Sequence, residues 1–319
     1  MLSVFKNKNL YLSSIILFLM LVFALNAPRY SKLTLDGITI WALSVLPSVF
    51  IFFVLSSLLS SLSLISAISQ RLSPLSKRLF NVSGLSFYAL FMSVLSGYPT
   101  GAKITVELLK SGAISKREAS ISCLLSSTSS LSFFLGTIGG MIGTFKAFIL
   151  LICHYVSVFI TAFIFKGKAT DKSQRPFAIN KVDNVIYNSI YGSVVSVLVL
   201  GGIITFYYVL IEMAFDLKIL APFDKLFTLI FGDSALSKAF LTGIFESIKG
   251  IKLISLCSSP LVLPLIGFVI TFGGFSVITQ TAIYLKEAKI KTAPFVLLKL
   301  LQAVICFILL YVICLTPIL

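Results

Sequence analysis

Residues 85–103 run Leu85-Ser86-Phe87-Tyr88-Ala89-Leu90-Phe91-Met92-Ser93-Val94-Leu95-Ser96-Gly97-Tyr98-Pro99-Thr100-Gly101-Ala102-Lys103. The apolar part is too short to cross a bilayer comfortably, and Gly and Pro stop it as a helix. This pattern predicts a re-entrant hairpin whose second arm resumes over Thr100 to Lys110, because proline's fixed φ suits a first helical turn. The free N–H groups and positive dipole end then fall at Thr100, Gly101 and Ala102, with Lys103 adding a full charge; such an end attracts anions. The alternative is a plain Pro-Gly turn in which Lys103 pairs with Glu107 one turn on.

The rest of the chain explains where such a hairpin would sit. Of its residues 58% are hydrophobic and 12% charged, and its mean hydropathy is +1.05, too apolar for a soluble domain of 319 residues. Runs long enough to cross hydrocarbon occur at Leu10 to Leu25, Trp41 to Leu64, Phe145 to Phe165, Ile186 to Phe215 and Phe295 to Leu315. A cleaved signal is the alternative for the first run. A retained helix is preferred, since more spans follow at once and a signal's apolar core is normally shorter. The expected fold is an all-α polytopic membrane protein with the lipid bilayer as its solvent.

The net charge of +15 raises nucleic acid as a partner, but the basic residues lie between apolar runs and are not interleaved with exposed aromatics, so none is expected. They fit a topology instead. Lys6 and Lys8, Arg71 to Arg78, Lys110 to Arg117, Lys166 to Lys181 and Lys286 to Lys291 would share the cytoplasmic side, while the other loops are near charge balance. This puts the N-terminus inside, with about seven crossings. The five cysteines show no CxxC spacing and read as buried small hydrophobes. With His154 the lone histidine, a transition-metal site has almost no ligands, so neither metal nor other cofactor is expected. A base–nucleophile pair built on His154 would lie mid-span with no acidic orienter near it in sequence, which argues against an enzyme.

One ungapped offset of 149 residues aligns the halves: Gly101-Ala102-Lys103-Ile104 with Gly250-Ile251-Lys252-Leu253, and Ser126-Ser127 with Phe275-Ser276. The charge-derived orientation makes the repeats inverted, an arrangement in which broken helices meet at the midplane around a small-molecule substrate. The partner hairpin breaks at Glu246-Ser247-Ile248-Lys249-Gly250, where a carboxylate at depth needs a partner or a wet cavity; Lys249 is the nearest candidate. An ordinary exposed loop is the alternative. Downstream lie Ser127-Thr128-Ser129-Ser130 and Gly273-Gly274-Phe275-Ser276 with Gln280, small and hydroxyl-bearing stretches suited either to substrate contact from unwound helices or to dry helix packing. Candidate substrate contacts are therefore Gly97, Pro99, Thr100, Gly101, Lys103, Ser127, Thr128, Ser129, Glu246, Ser247, Lys249, Gly250, Gly273, Gly274, Ser276 and Gln280. The expected units are 1–36 (first helix and connector), 37–166 (first repeat), 167–185 (basic cytoplasmic linker) and 186–319 (second repeat). A homo-oligomer stays open.

Leu46-Pro47-Ser48-Val49-Phe50, Gly97 to Lys103, Gly112 to Ala119, Phe134 to Gly139, Glu246 with Gly250, and Phe272 to Ser276 with Gln280 together resemble the YlbJ-type sporulation integral membrane proteins of the nucleoside-recognition, or Gate-domain, group. The resemblance implies a fold similar to the core of concentrative nucleoside transporters, with two inverted Gate-type repeats, each holding a re-entrant helical hairpin and a broken helix. It further implies a bacterial cytoplasmic or forespore membrane, and a link to moving dipicolinate during sporulation. Where that family usually shows Asn with a following Pro or Gly, this chain has Ser127-Thr128-Ser129-Ser130. A transporter of a dipicolinate-type anion is the leading expectation. A nucleoside or related metabolite transporter comes next, and a non-transporting Gate-fold subunit of a membrane complex third.

Overall fold

A computed structural model describes residues 8–61, 64–166 and 184–316. The expected linker 167–185, and with it most of the Lys166 to Lys181 loop, lies outside the described residues apart from its last two positions. Every regular element among the described residues is helical. The protein is a polytopic α-helical membrane protein, and exposed side chains such as Leu12, Phe18, Ile186, Leu198, Leu297 and Val312 give its outer helices the apolar faces that lipid requires.

The first run forms α1 (Lys8–Leu25), which bends by 102° into α2 (Ala27–Ile40). A π-helical turn over Trp41–Val45 carries the chain on into α3 (Leu46–Ser61). Then follow α4 (Leu64–Phe80), the hairpin arms α5 (Gly84–Ser96) and α6 (Thr100–Lys110), and α7 (Lys116–Ser126). Residues 127–130 are unwound, a second π turn spans Phe133–Ile138, and α8 (Gly139–Ile142) leads to α9 (Thr144–Ile164). The second half holds α10 (Val185–Asp216), α11 (Ala221–Phe231), the hairpin arms α12 (Ser234–Phe245) and α13 (Ser247–Ile254), α14 (Val262–Phe272), α15 (Gly274–Glu287) and α16 (Thr292–Cys314).

The 21 residues of α9 and 23 of α16 give lengths of about 31 and 34 Å at 1.5 Å per residue, matched to hydrocarbon about 30 Å thick. Among the described residues four helices are long and apolar enough to cross, or up to six if each bent pair counts as one span. The expected seven crossings exceed this because α3, after the π turn, is left with only a short apolar helix at Val49–Leu59.

The hairpins are held at their bases as well as their tips. Glu118 of α7, 1% exposed, accepts hydrogen bonds from the Ser83 N–H at 2.7 Å and the Ser86 hydroxyl at 2.8 Å, capping the start of α5. In the second hairpin the arms nearly touch: a Cβ on Gly250 would lie 2.1 Å from the Gly243 Cα, so only glycine allows this approach. Cys123, Cys153 and Cys306 are buried as expected, whereas Cys257 and Cys314 are half-buried.

Candidate functional site

The break in the first hairpin follows from two residues. Gly97 ends α5 at φ +77°, and a Cβ there would lie 3.1 Å from the Ser130 backbone nitrogen, so the tip packs directly on the unwound segment after α7. Pro99 then occupies the N-cap of α6. In the second hairpin Glu246 both ends α12 and caps α13, its carboxylate accepting the N–H groups of Ile248 at 3.2 Å and Lys249 at 2.7 Å. A fully buried carboxylate is thereby satisfied by a helix start, the favourable end of the dipole for it.

The two tips meet. A cavity of about 60 Å³ is lined by Ser96, Gly97 and Tyr98 of one and Glu246, Ser247 and Ile248 of the other. Ser129 and Ser130 from the unwound segment complete the wall, with Gly273 from the α14–α15 break and Gln280 from α15; Val45, Val49, Leu200, Ile204 and Phe133 supply apolar surface. Gln280 is 3% exposed, and neither its amide nitrogen nor its amide oxygen has a hydrogen-bond partner within the protein. A buried amide costs free energy unless it is paired, and this one borders the cavity.

Of the candidates named from sequence, Gly97, Ser129, Glu246, Ser247, Gly273 and Gln280 line this cavity. Ser127, Thr128, Gly274 and Ser276 are buried close to it in the chain: Thr128 shares a hydrogen bond with Ser93 at 3.0 Å, while the Ser127 and Ser276 hydroxyls have no partner within the protein. Gly101 and Gly250 serve close packing, Gly101 against Ser126.

Three expectations change. Lys103 is exposed and lines a separate cleft of about 100 Å³ with Pro99, Thr100, Glu107, Ser193 and Tyr284, because its place on α6 turns it away from the tip contact. The Thr100 N–H, expected to be free, donates to the Gly97 carbonyl at 3.1 Å. Lys249 meets Glu246 only through its backbone. Its ammonium pairs with Glu212 at 2.5 Å and sits 3.7 Å over the Tyr208 ring. Glu212 also faces Arg29 at 3.7 Å, and Arg29 holds Asp216 through two hydrogen bonds of 2.9 Å, so α2, α10 and α13 are tied together on one side of the cavity.

Sequence reasoning passed over Lys299. It lies in the apolar run of α16, is 1% exposed, and donates to the Tyr98 hydroxyl at 2.8 Å and the Ser127 carbonyl at 3.0 Å. The signal was available, since a single charge within a spanning segment marks a functional position by default.

Residues 42–145, from the first π turn to the start of α9, match the family model Gate, described as nucleoside recognition. The chain is 26% identical over 332 residues to the sporulation integral membrane protein YlbJ of Bacillus subtilis (strain 168), a match covering 94% of this chain and 81% of that protein. The chain is thus similar to YlbJ along most of its length, and its first half is similar to the Gate model. No solved structure matches it. The Gate region contains the first hairpin and the unwound Ser127 to Ser130 segment, and so contributes one of the two tips at the cavity.

Proposed function

We propose that the protein carries a small polar solute, a dicarboxylate of the dipicolinate type, across a bacterial cytoplasmic or forespore membrane, with its substrate held where the two hairpin tips meet. The observation that carries this reading is the unpaired Gln280 amide at a cavity lined by both tips. The two N–H donors of its amide suit a carboxylate and a ring nitrogen, both of which accept, with the Ser129 and Ser247 hydroxyls of the same lining as further donors. The sporulation link rests on the name of the Bacillus subtilis relative.

The cavity lies between the two hairpin tips, and parting of the tips would admit substrate to it. A hairpin in each half favours an inverted-repeat mechanism, in which one half rocks against the other about a fixed site. The N-terminus is taken as cytoplasmic; cysteine labelling that found Lys289 and Lys225 on one face of the membrane would remove both the orientation and the inversion.

A second reading has its own support. Glu246 puts an acceptor in the same cavity as Gln280, a set that also suits the donors of a neutral nucleoside. Uptake of dipicolinate and of uridine by proteoliposomes separates the two. Saturable dipicolinate uptake that falls in Gln280→Ala supports the first reading, uridine uptake alone supports the second, and uptake of neither leaves a non-transporting subunit.

A further inference from the structure

Lys299 is the single charge in the run Phe295 to Leu315, seven residues into α16. At about 1.5 Å per residue it lies about 10 Å along the helix, and its side chain turns inward rather than extending to the membrane surface, leaving the residue 1% exposed. Its ammonium donates to two neutral oxygens, the Tyr98 hydroxyl and the Ser127 carbonyl, and lies 5.4 Å from the centre of the Tyr98 ring. None of the ion pairs among the described residues includes it. A buried ammonium without a counter-charge is expensive, and leucine or methionine would pack the same space at less cost. One of its three N–H donors is left over. Tyr98 in turn accepts from Lys299, which leaves the phenol's own O–H to donate, and Tyr98 lines the cavity between the hairpin tips.

We infer that Lys299 is a specificity-determining residue that makes this cavity select anions, acting through the Tyr98 phenol. The phenol O–H, polarised by the ammonium behind it, meets a carboxylate of the bound solute while Gln280 takes its remaining polar atoms. Glu246, in the same lining, accepts the N–H groups that open α13, and the charge in contact with the Tyr98 phenol is that of Lys299. Anion preference thus sits in α16 and the first hairpin, and not on the exposed Lys103. This rests on the transport reading above.

The test compares two probes of one shape, a pyridine dicarboxylate and its uncharged diamide, in proteoliposomes of the parent protein, Lys299→Met, Lys299→Arg and Tyr98→Phe. The expected result is that Lys299→Met raises the KM for the dicarboxylate by about tenfold or more, as the phenol–carboxylate hydrogen bond loses the charge that strengthens it. The diamide should stay within about twofold of the parent by the same reasoning. Lys299→Arg should recover part of the dicarboxylate preference. Tyr98→Phe, which conserves volume, should shift it in the same direction as Lys299→Met even if that variant fails to fold. Equal losses for both probes would show a merely structural lysine and overturn the inference, as would an unchanged ratio. Dicarboxylate uptake by the parent that is unaltered in Lys299→Met overturns this assignment alone, whereas a parent that transports neither probe overturns the transport reading and the assignment with it.

Discussion

Replacing Lys249 by methionine should loosen one side of the cavity. The Lys249 side chain is 8% exposed and that of Glu212 is 24%, with their charged atoms 2.5 Å apart. Exposed pairs contribute about 0 to 1 kcal/mol, while breaking a fully buried one costs about 3 to 5 kcal/mol. Lys249→Met leaves Glu212 with Arg29 at 3.7 Å, so an intermediate loss of about 2 kcal/mol is expected. If the pair holds the second hairpin tip to α10, that loss shifts the equilibrium between closed and parted tips by about thirtyfold, at about 1.4 kcal/mol per factor of ten. Ser247 lines the cavity beside Glu246 and reports the opening. In a background with all five native cysteines replaced, a membrane-impermeant thiol reagent should modify Ser247→Cys about thirtyfold faster when Lys249→Met is added. A rate within about twofold of the Ser247→Cys parent would refute the latch, since the same arithmetic leaves less than about 0.5 kcal/mol for it.

Gly250→Ala should separate the arms of the second hairpin, because its Cβ would fall 2.1 Å from the Gly243 Cα; a clear drop in thermal stability of the detergent-solubilised protein is expected, and an unchanged melting temperature would contradict the close approach. Glu118→Ala should cost about 3 to 5 kcal/mol, leaving the Ser83 N–H and Ser86 hydroxyl without their charged acceptor. Glu118→Gln, which keeps one oxygen, should cost less, and denaturant unfolding that ranks the two the other way would disprove the capping role. Lys103→Ala should slow dicarboxylate uptake at low salt with little change in KM, because this exposed cation lines the separate cleft and not the cavity; a KM increase matching that of Gln280→Ala would return Lys103 to the binding site.

The breaks of the two hairpins were legible in the sequence. Gly97 and Pro99 set the break between α5 and α6, Glu246 sets the break between α12 and α13, and the expected second arm Thr100 to Lys110 coincides with α6. These features depend on residues adjacent in the chain, where steric and hydrogen-bonding rules act directly. The stretches at Ser127 to Ser130 and Gly273 to Ser276 were singled out as small and hydroxyl-bearing, with unwinding and dry packing both left open; residues 127–130 are unwound and Gly273 ends α14.

What the sequence withheld is which side chains meet across the fold. Lys249 lies 37 residues from Glu212, and Lys299 lies 201 residues from Tyr98; no periodicity encodes such pairings. The side on which Lys103 falls is set by the packing of α6 against α5, α7 and α15, not by the helix's own pattern. Gln280 was named beside the small, hydroxyl-bearing stretch at Gly273 to Ser276, but its unpaired amide is visible only once its surroundings are known.

The central claim is that solute passes between the two tips, and a reversible staple across them tests it most directly. Ser96 and Ser247 line the same cavity from opposite hairpins. Introduced together as cysteines in the cysteine-free background and bridged by a short bifunctional thiol reagent with a cleavable link, they should hold the tips together. Dicarboxylate uptake should then stop and return on reduction, while either single cysteine treated alike retains most of its activity. Uptake that continues undiminished in a fully bridged protein would contradict the account.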